Sequence, residues 1–182
     1  MERLAAITLL PLLLAGCDRL FDELSRVLWG VETTVTIIAA APMKVSPAPT
    51  RFDLPEPAKV VGTVAHVCLS LRGDLPLGSP EVMTAEFKNL MRGASVTVVA
   101  TTTEGKTVTL SKPSQAWSKS GKIEKRDELA ACVRAPEAVE ALPVGTKISR
   151  IEVSATTPVD VRGLYWESSN AWDRGGKGSQ GT

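Results

Sequence analysis

Residues 94–110 read ASVTVVATTTEGKTVTL, and the fold class turns on them. Residues 94–103 and 106–110 alternate apolar and polar side chains with a period of two, which is the signature of strands with one buried face. Glu104-Gly105 stands between the two runs. Glycine reaches the positive φ that a tight turn demands, so the stretch predicts a β-hairpin. Strand readings extend outward from it in both directions. Residues 32–41 (ETTVTIIAAA) are β-branched, and residues 59–71 form the longest candidate, apolar on both faces and therefore central. Further on, residues 128–134 read as a short strand. Residues 147–155 and 159–166 read as a second hairpin across Thr156-Thr157-Pro158.

Helical signals are few. Over residues 79–91, Ser79 can cap, Pro80 suits the first turn and Glu81 favours the positive end of the helix dipole. Met83, Phe87, Leu90 and Met91 then make the buried stripe. Residues 18–29 place Leu20, Phe21, Leu24, Val27 and Leu28 at helical spacing, with Gly30 as the stop. Five of the twelve prolines fall within residues 42–57, which should run extended over the surface. Residues 111–127 are polar and Lys-rich, a long loop around Trp117, and residues 174–182 are Gly-rich and should be disordered. Six or seven short strands with one or two short helices predict a small antiparallel β-sandwich, with a small β-barrel as the alternative. A parallel α/β sheet is disfavoured, because the strands do not alternate with long helices. The chain's 182 residues suit one domain, and a net charge of +1 creates no field that would draw nucleic acid.

The first residues carry an address. Arg3 precedes an apolar run over residues 4–14 (LAAITLLPLLL), too short for a spanning helix and interrupted by Pro11. Leu14-Ala15-Gly16-Cys17 follows, and this ending resembles the lipobox of bacterial lipoproteins. The resemblance covers residues 1–17 only. It implies cleavage before Cys17, diacylation of the Cys17 sulfur, and a chain anchored by that lipid in the bacterial cell envelope and facing the periplasm. Asp18 resembles an inner-membrane retention signal. The organisation expected is a cleaved signal peptide over residues 1–16, a lipidated Cys with a short tethering helix over 17–30, one β-rich domain over 31–173, and the tail.

With Cys17 acylated, Cys68 and Cys132 remain as an even pair in an oxidising compartment. In TVAHVCLSL, Ala65, Val67, Leu69 and Leu71 face the core and His66 and Cys68 the other way. In ELAACVRA, Leu129, Ala131 and Val133 face the core and Ala130, Cys132 and Arg134 oppose them. A Cys68–Cys132 disulfide on neighbouring strands is expected, and closing that loop would stabilise the fold by roughly 4 kcal/mol.

Catalytic material is scarce. His66 is the single histidine, no GxSxG, CxxC or HExxH spacing occurs, and no metal site and no cofactor are expected. Arg72-Gly73-Asp74 matches an adhesion tripeptide but reads as a strand end. Lys119, Lys122, Lys125 and Arg126 are interleaved with acids and read as a solvated loop. The aromatic group Tyr165, Trp166 and Trp172 stands out near the C-terminus. Tyr165 shares parity with Val159 and Val161 and is assigned to the core. Trp166 and Trp172 are then the contact candidates, with Asn170, Ser168 and Ser169 as hydrogen-bonding neighbours. The leading expectation is a non-catalytic lipoprotein that binds a protein partner in the envelope. A carbohydrate- or peptidoglycan-binding module stacking sugars on Trp166 and Trp172 comes second. An envelope hydrolase with His66 as base comes third.

Overall fold

A computed structural model of the chain describes residues 30–73, 80–118, 122–124, 127–134 and 142–170. The elements follow in chain order as β1 (Thr33–Ala39), β2 (Met43–Val45), β3 (Thr50–Lys59), β4 (Val64–Gly73) and helix α1 (Pro80–Met91). Then come β5 (Val96–Thr102), β6 (Thr107–Leu110), β7 (Lys112–Ser118), β8 (Glu128–Arg134), β9 (Lys147–Ala155), β10 (Val159–Val161) and β11 (Gly163–Ser169). Five strands pair as β1-β11-β4-β8-β7, four as β3-β9-β5-β6, and β2 with β10 make a two-stranded ribbon. Every pairing is antiparallel. The fold is a small antiparallel β-sandwich, not a closed barrel. No helix among the described residues is long and apolar enough to cross a membrane.

The period-two patterns dictate the core. Val67 and Leu69 of β4, Val133 of β8, and Leu164 and Trp166 of β11 share one cluster with Val98 of β5, Leu110 of β6, and Ile151 and Val153 of β9. Each is almost wholly excluded from solvent, contributing about 1.5–3 kcal/mol apiece in apolar burial. The deciding hairpin forms as expected, with Val98 opposite Leu110 and Gly105 at φ 84°. Thr102 adds a local brace: its Oγ1 accepts the N–H groups of Glu104 and Lys106 at 3.3 and 3.1 Å. Helix α1 buries Met91 and packs Phe87 and Leu90 on the core, while Val82 stays 62% exposed. β4 is central, as its two apolar faces require, although it begins at Val64 rather than Lys59.

Several expectations need correction, each for a physical reason. Eleven strands stand among the described residues, not six or seven. The proline-rich stretch enters both β2 and β3. β3 tolerates Pro55 and Pro57 because it is an edge strand whose register breaks between Asp53 and Ala58. Residues 112–118, expected in a loop, pair with β8 as edge strand β7, held by backbone bonds that an alternation test does not see. The second hairpin is absent. β9 lies between β3 and β5 while β10 pairs with β2, so residues 156–158 carry the chain from one sheet to another.

The run 159–166 is likewise two strands. The Arg162 N–H donates to the Ser70 carbonyl at 2.7 Å, and Gly163 pairs with the same Ser70, so two residues oppose one. That extra residue inverts the facing of everything after it. Gly163 is required there, because a Cβ would meet the Ala39 carbonyl oxygen at 2.4 Å.

Candidate functional site

Two regions flank β8. The first is the outer face of the five-stranded sheet. Register places Tyr165, Cys68 and Cys132 in one row across β11, β4 and β8, and Glu167, His66 and Arg134 in the next. Cys68 and Cys132 are directly paired positions and are joined by a disulfide. With Ala130 and Tyr165 they form a second, smaller core, against which Ile123 packs from residues 122–124. Ser70 and Glu128 are buried on the same face, and the Ser70 hydroxyl donates to Glu128 Oε2 at 3.1 Å. Burial above all, and the neighbouring Glu128 carboxylate next, push the Tyr165 phenol far above its ordinary range.

A polar rim borders that cluster. His66 Nε2 and Lys122 Nζ each lie 3.9 Å from Glu167 Oε2. Burial works against ionisation of Glu167, but His66 and Lys122 outweigh it and hold its carboxyl below the usual value. Arg162 pairs with Glu124 and ties residues 122–124 to the sheet. At the strand end Arg72 Nη1 donates to Glu86 Oε1 at 2.5 Å, which binds β4 to α1. Arg72 and Gly73 therefore close a strand, as the tripeptide was read, and Asp74 lies outside the described residues.

The second region is an open cleft of about 450 Å³ on the other side of β8. Phe87 and Met91 of α1, Ala94, Val96 at the start of β5, Pro113 of β7 and Cys132 and Val133 of β8 line it, and among the described residues Lys88 is its one charged side chain. A concave apolar surface of this size with a lysine at its edge has the make-up of a ligand or side-chain pocket. Sequence reading missed it, since α1, β5, β7 and β8 are brought together only by tertiary packing.

The aromatic contact surface is corrected. Trp166 is fully buried between the sheets, and its indole Nε1 donates to the Lys59 carbonyl at 3.3 Å. Tyr165 is buried as expected, but in the outer cluster rather than with Val159 and Val161. The inversion at Arg162 and Gly163 accounts for both. Asn170 is a latch: it accepts the Glu32 N–H at 2.7 Å and donates to the Gly30 carbonyl at 3.0 Å. Ser168 Oγ accepts the Val61 N–H and donates to the Val64 carbonyl, and Ser169 bonds Thr33, so these hydroxyls serve the fold. Trp172, Cys17 with the lipobox, the helix expected over 18–29, and the tail lie outside the described residues. Of the basic stretch, Lys122 alone is described.

No protein-family model matches the chain, and no curated protein matches it. The functional reading therefore rests on the residues themselves.

Proposed function

We propose that this protein is a lipid-anchored component of the bacterial cell envelope that binds a partner protein, without catalysis, in the cleft beside α1. The single observation that carries this reading is the cleft's make-up: an apolar concavity of about 450 Å³ with Lys88 at its edge. Such a site takes an apolar side chain from a partner whose neighbouring carboxylate meets Lys88. Burial of that side chain supplies affinity, and the charge pair sets orientation. The lipobox resemblance of Leu14-Ala15-Gly16-Cys17 supports the address. Stacking of glycans on paired tryptophans loses one platform with Trp166 in the core.

The test is capture of the full-length tagged protein from crosslinked, detergent-solubilised native membranes. Cys17→Ala, Lys88→Glu and Ala94→Phe variants run alongside. One envelope protein should be recovered in near-equal amount by the wild type, and be lost from Lys88→Glu and Ala94→Phe at unchanged thermal stability. Undiminished recovery by both variants removes the cleft from the account. Recovery of the lipoprotein alone, with sedimentation on sacculi, replaces the protein partner with a glycan.

A further inference from the structure

The His66, Cys68 and Cys132 side chains converge on the outer face of the five-stranded sheet. Their donor atoms lie within 4.8 Å of one another, and no other three His, Cys, Asp or Glu side chains gather in this way among the described residues. Sequence spacing hid the group, because Cys132 is 64 residues from Cys68 and only strand pairing brings it beside the His-x-Cys step. We propose that reduction of the Cys68–Cys132 disulfide turns this group into a binding site for one thiophilic d10 cation of the Zn2+ class, held by two thiolates and the His66 imidazole.

The chemistry balances as follows. An external dithiol reductant attacks the Sγ–Sγ bond, which breaks. The two cysteines leave as thiols, and the reductant leaves as its own disulfide. A divalent cation then displaces both thiol protons to solvent, giving a complex of two thiolates, one neutral imidazole and one dication with no net charge. Neutrality matters, because Cys68 and Cys132 are almost wholly buried. Two sulfurs and one imidazole leave a fourth tetrahedral position for water or another ligand.

The surroundings are already arranged for the role. Glu167 stands on the Nε2 side of His66, where a carboxylate can take the ring N–H and leave the second ring nitrogen as the donor. Register puts Arg134 directly beside His66 on the neighbouring strand. The oxidised and reduced forms thus differ in what the same three side chains offer: a covalent staple, or a soft metal site. This inference is independent of the cleft.

The experiment is anaerobic. Full-length protein is reduced with a water-soluble phosphine, exchanged into buffer, and titrated with Zn2+ against a chromophoric chelator, and with Co2+ for thiolate charge-transfer absorption. Reduced wild type and Cys17→Ala should each bind one Zn2+ per chain, and the oxidised protein none. His66→Ala should weaken binding at least tenfold, and Cys68→Ser, which leaves one thiolate, should lower the charge-transfer bands at least twofold. Circular dichroism of the reduced protein, with and without Zn2+, guards against binding by unfolded thiols. No stoichiometric Zn2+ in reduced wild type, equal affinity in His66→Ala, or a reduced chain that stays unfolded with Zn2+ present would each overturn the proposal.

Discussion

On one side of β8, Ala130 and Cys132 join a closed cluster in which a disulfide, a phenol and a carboxylate are shut beneath Ile123. On the other side, Ala131 and Val133 border an open apolar cleft that Cys132 also touches, with Lys88 at its edge. A single seven-residue strand thus serves two regions of opposite character, with Cys132 touching both. The disulfide side holds neighbouring strands together, whereas the other side leaves an apolar concavity open to solvent.

The largest expected effect lies in the core that both regions share. Trp166→Ala should cost about 3–5 kcal/mol in denaturant unfolding, as truncation of a large core aromatic does. An exposed contact residue would cost almost nothing, so a loss under about 0.5 kcal/mol would return Trp166 to the surface. Opening the closed side comes next. The double variant Cys68→Ala, Cys132→Ala should lose roughly 4 kcal/mol, close to the loop-closure value for cysteines 64 residues apart. A peptide map showing free thiols at both positions in oxidised protein would break this half of the comparison.

Alkaline titration sharpens it further. Tyr165 is the chain's single tyrosine, so phenolate absorbance reports it alone. Its folded pKa is raised above the ordinary value of 10.0, so the stabilising contribution is fully present below pH 10 and drains away above it. Phenolate should therefore appear with unfolding rather than before it. A smooth titration near pH 10 in folded protein would place the ring in solvent. The smallest effect is on the rim: Glu167→Gln should cost less than about 1 kcal/mol at neutral pH, because both ion-pair partners stand at 3.9 Å and the rim still meets solvent. Glu167 has a lowered folded pKa, so its contribution is present above the ordinary carboxyl value and is lost as pH falls through the folded one. Acid should shrink the difference between wild type and variant to nothing.

Much of the fold was legible because local signals agreed with tertiary ones. The β5–β6 hairpin needed only alternation and Gly105, and the α1 stripe of Phe87, Leu90 and Met91 needed only helical spacing. Cys68 and Cys132 could be paired by facing and by number. Trp166 was misplaced because parity is lost across one extra residue, and nothing at Arg162 and Gly163 announces a break until Ser70 is seen opposite both. Proline misled at β3 for a similar reason, since an edge position excuses a missing N–H and edges are set by the whole sheet. Neither the cleft nor the His66–Glu167–Lys122 rim was readable, as each joins segments far apart in sequence.

The central claim, that the open side is the contact surface, can be tested by photocrosslinking from single positions in native membranes. One crosslinker replaces Lys88 at the cleft, and another replaces the exposed Val35 on the outer face of β1. One envelope protein should crosslink from position 88 and not from position 35. The same protein crosslinked from position 35 and not from position 88 would contradict it.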